Sequence, residues 1–408
     1  MNGNMTESDT YSGGSAMKAG NSKPRRAMVI GAGIGGLCTA IALRNEGWQV
    51  TLYERSPGIP QVGAGIVLAA NAMKALSKLG AADQVQAQGA PIGKAEIRTW
   101  DGKLLVDLPT TQQAIKYGTS SYIIHRVTLQ SILLDVLGAT ADVQFNKKLV
   151  GWTQDQDRVT ATFEDGCTGV GELLIGADGI RSKVRRQFPE SSPLRYSGFT
   201  ALRGISMFED QRYPLDIGGG FEAWGHGKRF GFTHLGNGRI YWFAAINSRE
   251  GIPHPAAERK QLALSTFRGW YQPIESVIAA AEEDSILSHD IYDCSPIGRW
   301  TEGRVALLGD AAHPMLPNLG QGGAQAMEDA LVLAQCLQSV DTDIPAALQQ
   351  YEQRRLARAT KVVRQSRLMA KVVQTEIPAA IFVRNRLLRM IPPSMHVKRF
   401  DWLVGYEV

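Results

Sequence analysis

Apolar and polar positions along the chain change their rhythm three times. Residues 27–31 (AMVIG) are a short apolar run, read as a buried strand. Residues 35–46 then carry Leu37, Ala40, Ile41 and Leu43 at helical spacing, and Gly47 stops that helix. Residues 48–53 (WQVTLY) form the next strand, ending at Glu54, so the chain opens as strand–helix–strand. The spacing predicts helices over 71–80, with Asn71 as cap, and over 128–137, capped by Thr128. Across 143–175 and 196–247 the period shortens to two, as in antiparallel strands, with Gly236-Asn237-Gly238 as a hairpin turn. Helical spacing returns over 256–282. A strand at 304–308 (RVALL) follows, then helices over 321–338, 345–373 and 376–391. A strand–helix unit returning so late predicts an α/β first domain that is discontinuous in sequence. The expected segments are 27–101, 125–195 and 290–340. A mainly antiparallel sheet domain takes 102–124 and 196–289, and 341–408 is a C-terminal helical segment.

Composition narrows the field. The 408 residues suit two domains or one elaborate domain, and 44% apolar with 20% charged residues is ordinary for a soluble globular protein. The net charge of +5 is uneven: residues 351–408 hold twelve Lys/Arg against four Asp/Glu. The rest is mildly acidic, which excludes a nucleic-acid-binding body with a basic recognition face. Cys38, Cys167, Cys294 and Cys336 form no C-x-x-C pair, so neither a metal knuckle nor a disulfide framework is expected. Scattered buried thiols suit a reducing cytoplasm. Residues 1–26 are polar and Gly/Ser-rich, without the apolar core of a signal peptide, and read as a disordered tail. No apolar run approaches the ~18 residues of a membrane span. Residues 376–391 are apolar with Arg384, Arg386 and Arg389. They form either a helix packed on the body with its arginines in solvent, or a basic amphipathic helix in weak contact with a membrane.

Three motifs carry the chemistry. In VIGAGIGG, Gly31, Gly33 and Gly36 form G-x-G-x-x-G between strand and helix, with the roles of tight turn, backbone approach to a pyrophosphate and helix–strand packing. The helix N-terminus offers free N–H groups to phosphates. Glu54, 18 residues past Gly36, ends the second strand where a carboxylate accepts from an adenosine ribose; Arg55 adjoins it. An acid there favours NAD or FAD over NADP. In LLIGADGIRSKVR an apolar strand ends at Asp178, which either faces a ligand or makes an Asx turn. In GRVALLGDAAHPMLPNLGQGGAQAMEDA a strand ends at Asp310, and Gly320, Gly322 and Gly323 open a helix. An acceptor carboxylate suits a polyol, and a helix N-terminus suits a group that gains negative charge. A flavin has both, a ribityl chain and an N1–C2=O edge, so the cofactor is expected to be FAD.

The three motifs in this order resemble the single-component FAD-dependent aromatic hydroxylases, a group that includes the para-hydroxybenzoate, salicylate and urate hydroxylases and the zeaxanthin epoxidases. The resemblance covers residues 27–370. It implies a Rossmann-type FAD domain built from separated segments, with a sheet domain over the flavin. By position it implies Gly31, Gly33 and Gly36 at the pyrophosphate, Glu54 at the ribose and Arg126 reaching the FAD. Asp178 would sit in the motif shared by FAD and NAD(P)H, and Asp310 at the ribityl chain. Pro317 would line the flavin ring, with amides from Gly320 to Ala324 under the pyrimidine. Ala324 stands where many members have Asn. In GHGKRFGFTHLGNGRIYWF, Arg229 is followed twelve residues later by Tyr241, as in the urate hydroxylases and in members with other substrates. Arg229, His234, Tyr241 and Phe243 would lie on alternating strand faces. The plainer expectation keeps Tyr241 in the core and Arg229 at the surface, and makes His226 and His234 structural.

The implied activity uses NADH or NADPH and O2 to hydroxylate a small electron-rich aromatic or heteroaromatic compound through a flavin C4a-hydroperoxide, in a monomer or homodimer. The alternative is an epoxidase or reductase acting on an isoprenoid or quinone-like substrate. A disulfide reductase is disfavoured by the missing C-x-x-x-x-C pair.

Overall fold

A computed structural model describes residues 25–60, 63–139, 141–338 and 343–408. Nearly all of the N-terminal tail expected at 1–26 lies outside these.

The first sheet has six strands in the order Thr301–Glu302, Val305–Leu307, Leu173–Gly176, Arg26–Ile30, Gln49–Tyr53, Asp142–Gln144. All neighbours are parallel except the first pair. The late strand is thus only one strand away from the first: Leu174 pairs with both Met28 and Val305. Strands buried on both faces need continuous apolar runs, and LLIG and RVALL supply them. The first helix (Ile34–Asn45) packs against the late helix (Gly322–Cys336). The consequence for function is geometric. Gly31, Glu54, Ala177-Asp178 and Gly309-Asp310 all follow the carboxyl ends of four adjacent strands, where open α/β sheets bind ligands. Three strand spacings separate the Glu54 and Asp310 strands, about 14 Å.

The second sheet has seven strands in the order Leu287–Cys294, Leu194–Met207, Arg239–Asn247, Lys228–Gly236, Gly219–Trp224, Lys94–Thr99, Leu104–Asp107. It is antiparallel except where Gly219–Trp224 meets Lys94–Thr99. Two boundaries therefore move. Residues 94–99, expected in the FAD domain, pair with Gly219–Trp224, and residues 290–294 belong to a strand that pairs with Leu194–Met207. Both strands are selected by partners over a hundred or nearly a hundred residues away, which local periodicity does not register. One face of this sheet packs Phe230, Trp242, Leu202 and Ala244 against the helix Ala256–Thr266 and the short helix Ile274–Ala279. The predicted 256–282 helix is thus broken. The other face is free to cover a site.

Two cap assignments also change. Ala69, not Asn71, precedes the Ala70–Lys78 helix, and His125 precedes Arg126–Leu137, so Thr128 lies inside it. Asn71 is buried, and its amide donates to Glu328 Oε1 (2.7 Å) and Gln321 Oε1 (2.9 Å). Cys167 is exposed, while Cys38, Cys294 and Cys336 are buried. The long helix Ile344–Val373, the helix Pro378–Met390 and a further helix, Pro393–Val404, complete the chain. No helix among the described residues is long and apolar enough to cross a membrane.

Candidate active site

The glycine roles separate cleanly at the first turn. Gly31 has φ +105°, and a Cβ there would meet the Ala177 carbonyl oxygen at 2.5 Å. A Cβ on Gly36 would fall 1.8 Å from the Gly31 oxygen, so the helix can lie on the strand only with glycine. Gly33 has an ordinary φ of −69°, and nothing lies within 4 Å of its missing Cβ. It is the N-cap of the first helix and faces a cavity, leaving the first amides of that helix bare. Glu54 accepts from the Ala32 amide (Oε2, 2.8 Å) and the Ser56 amide (Oε1, 2.8 Å), which fixes its carboxylate beside the turn. Arg55 is exposed beside it and does not line the cavity.

The cavity, about 960 Å³, runs from Gly33 past Asp310 to the free face of the seven-stranded sheet. Arg126, exposed at the start of its helix, lines it, as do Pro317, Gly320, Gly322 and Gly323. Pro317 begins a 3-10 turn that ends at Gly320 with φ +62°, turning the chain into the late helix. The first intrahelical bond there runs from Gln325 N–H to Gln321 O, so the amides of residues 322–324 have no partner inside the helix. Ala324 itself is buried with its side chain in the core and does not line the cavity, which limits any contribution to its N–H. The Asp310 carboxylate stands beside Gly322: Oδ1 is 3.9 Å from where a Cβ would be.

Asp178 fits neither expectation fully. Its Oδ2 accepts from the amides of Lys183 (2.6 Å) and Val184 (3.2 Å), five and six residues on and so not an Asx turn. Its Oδ1 is buried without a partner, and it is not in the cavity wall. Burial pushes its carboxyl pKa up, against the pull of Ser182 and these amides. The mechanical residue of that motif is Arg185. It is buried and donates to the carbonyls of Asp310 (3.2 Å) and Ala311 (2.8 Å), so the middle motif holds the late one in place.

Across the cavity, period-two alternation brings Arg203, Arg229, Gly231, Tyr241 and Phe243 to one face. Arg229 is buried, not a surface residue: its Nη1 is 3.5 Å from Glu222 Oε2, and its guanidinium lies 4.9 Å from the Phe243 ring centroid. Tyr241 is half-buried in the cavity wall rather than sealed in the core. Its ring lies so close to Gly65 that a Cβ there would be 2.6 Å away. Burial raises the Tyr241 hydroxyl pKa, and the guanidiniums of Arg203 and Arg229 only partly reverse this, so it keeps its proton. His234 points to the opposite face, 2.7 Å from the Tyr213 carbonyl, and His226 is exposed. Arg203 carries no motif. It could have been found only from the alternation of the Leu194–Met207 strand, which places it opposite Phe243.

Whether these residues fit a flavin can be tested on orphaned atoms. Asn318 lines the cavity with both side-chain polar atoms buried and unpartnered, as is Arg229 Nε. Buried polar atoms need partners, and a polar ring edge beside the late helix and a polar substrate beneath the sheet would supply them. Free amides, a carboxylate and an open glycine at the two ends complete a dinucleotide-length cradle.

Comparison with known proteins agrees. Residues 25–206 and 294–366 match the FAD binding domain family. The chain is 40% identical over 366 residues to the aurachin C monooxygenase/isomerase of Stigmatella aurantiaca, covering 89% of this chain and 94% of that one. It is 34% identical over 344 residues to the FAD-dependent urate hydroxylase of Klebsiella pneumoniae, covering 84% and 88%. The structure of Klebsiella pneumoniae HpxO with FAD and uric acid superposes with a TM-score of 0.88 at 30% identity, over 93% of this chain and 97% of that chain. The cradle, the sheet above it and these relatives lead to one conclusion: the chain belongs to the FAD-dependent aromatic hydroxylase family, an FAD-binding monooxygenase.

Proposed function

We propose that this enzyme uses NADH or NADPH and O2 to hydroxylate a small, electron-rich aromatic or heteroaromatic compound. The carrying observation is the pair of walls: the free amides of Gly322 and Gly323 on one side, and Arg203, Arg229 and Tyr241 on the other, across one cavity. Bound FAD supplies hydride acceptance and oxygen activation. The chain binds and positions. Gly33 would admit the pyrophosphate on the turn and helix start that Gly31 and Gly36 allow, Glu54 would hold the adenosine ribose, and Arg126 would reach the cofactor. Asp310 accepts from the ribityl hydroxyls. Pro317 would line the ring, Gly320 turns the chain beside it, and the amides of Gly322 and Gly323 would face its pyrimidine edge, where a helix N-terminus stabilises negative charge. On the substrate side, Arg203 and Arg229 favour an anionic ring, which is more nucleophilic at carbon, and Tyr241 donates its retained proton as a hydrogen bond. Phe243 and the buried sheet face exclude water. One O2 oxygen enters the product and the other leaves as water, with two electrons from NAD(P)H.

The test is NAD(P)H oxidation by the FAD-loaded protein across phenols, quinolones and purines, with product identified by mass spectrometry. Substrate-stimulated oxidation with a hydroxylated product is expected. An epoxide would favour the isoprenoid alternative, and failure to retain added FAD would sink the reading.

A further inference from the structure

The helix Pro378–Met390 is turned opposite to its composition. One of its three arginines faces in: Arg384 is 7% exposed, and Nη1 donates to the carbonyls of Val372 (3.1 Å) and Val373 (3.3 Å). Its large apolar residues face out, with Phe382 68%, Leu387 56% and Met390 68% exposed. Spacing of one, four, five and eight residues puts Phe382, Val383, Arg386, Leu387 and Met390 on one side of the helix. The expected arrangement, arginines in solvent and apolar side on the body, is therefore reversed at Arg384. A contiguous apolar surface of this kind marks an interaction site.

Charge identifies the occupant. Residues 377–400 expose Arg386, Arg389, Lys398 and Arg399, in addition to the inward-facing Arg384, and contain no acid. The acids that flank this stretch are engaged: Glu376 bonds Asn247 (2.9 Å), and Asp401 pairs with Lys116 (2.7 Å). A second copy of this chain laid on the same face would set these cations against their own kind. Anionic lipid headgroups would neutralise them while the acyl boundary took Phe382, Leu387 and Met390. Position agrees. Leu368 and Val372 of the long helix are exposed and also line the cavity, as do Leu388 and Arg399, so the cavity mouth opens beside this surface.

We propose that this face docks the enzyme on an anionic bilayer, with the cavity mouth toward the lipid. The docking stands on this surface alone and is independent of the reaction proposed above. The FAD-loaded full chain is floated with vesicles of phosphatidylcholine containing phosphatidylglycerol, and with phosphatidylcholine alone. Binding to the anionic vesicles only is expected. Phe382→Ser/Leu387→Ser should lower the partition coefficient more than about tenfold, and Arg386→Gln about fivefold. All three side chains are exposed, and unchanged thermal unfolding verifies that the variants fold. No flotation with anionic vesicles overturns the proposal, as does equal binding to neutral ones. So does a concentration-dependent dimer that the double variant abolishes while vesicles bind neither form; a second copy would then be the occupant.

Discussion

The glycine end and the middle of the helix Gly322–Cys336 use polar groups in opposite ways. At the glycine end, the amides of Gly322 and Gly323, with the side chains of Asp310 and Asn318, line a cavity and have no hydrogen-bond partner among the described residues. Two turns on, every charge is matched inside the protein. Asp329 Oδ2 lies 2.6 Å from His313 Nε2 and accepts from the Gly309 amide (3.1 Å), and its Oδ1 accepts from Arg355 Nε (2.7 Å). Glu328 accepts from Arg355 (2.6 Å), Arg358 and Asn71. The satisfied stretch fixes the Gly309 loop, and so the position of Asp310, while the unsatisfied end presents its polar groups to the cavity. Satisfaction distinguishes a residue that holds the site from one that binds in it.

Breaking the satisfied stretch should cost most. Arg355→Leu leaves Asp329 and Glu328 buried with too few partners, and thermal unfolding should show a loss of about 3–5 kcal/mol. The same cluster sets acid stability. Burial alone would raise the Asp329 carboxyl, but His313 and Arg355 hold it at about 2, below its usual 3.8. A depressed pKa contributes stability above the unfolded value, so this part should be lost as pH falls from about 4 to about 2. In Asp329→Asn the unfolding midpoint should respond less to pH across that window.

The unsatisfied end should behave differently. Asp310→Ala should leave apoprotein unfolding nearly unchanged and weaken FAD by about 1.5–3 kcal/mol, measured by flavin fluorescence titration. The glycine pair sharpens the contrast. Gly36→Ala should destabilise the fold by at least ~1–3 kcal/mol, since backbone blocks its Cβ. Gly33→Ala should fold normally and lose about tenfold in FAD affinity. Equal effects at both would contradict the division. The smallest change is expected at Tyr241→Phe, which removes one hydrogen bond, about 0.5–1.5 kcal/mol on kcat/KM, with FAD affinity intact.

Legibility followed sequence distance. The first strand–turn–helix unit was readable because the steric demands of Gly31 and Gly36 are local and Glu54 ends the next strand. Asp310 was readable because a strand end and a glycine-rich helix start adjoin it. The middle motif was legible only in part: it leaves Asp178 open between a ligand contact and a turn, and the strut role of Arg185 shows only through the carbonyls of residues 310 and 311, far along the chain. Arg203 was missed because it belongs to a strand with no motif. Asn71 was taken for a cap because its partners Gln321 and Glu328 lie some 250 residues away. The last helix, Pro393–Val404, escaped because a proline pair, Pro392-Pro393, stands at its start.

The central claim is that the two walls serve one oxygen transfer. It is tested most directly by supplying the FAD-loaded enzyme with NAD(P)H, isotopically labelled dioxygen and the ring compound that best stimulates oxidation. The account predicts one labelled oxygen atom in the product for each NAD(P)H consumed. NAD(P)H consumption that yields only hydrogen peroxide, or product oxygen drawn from water, would contradict it.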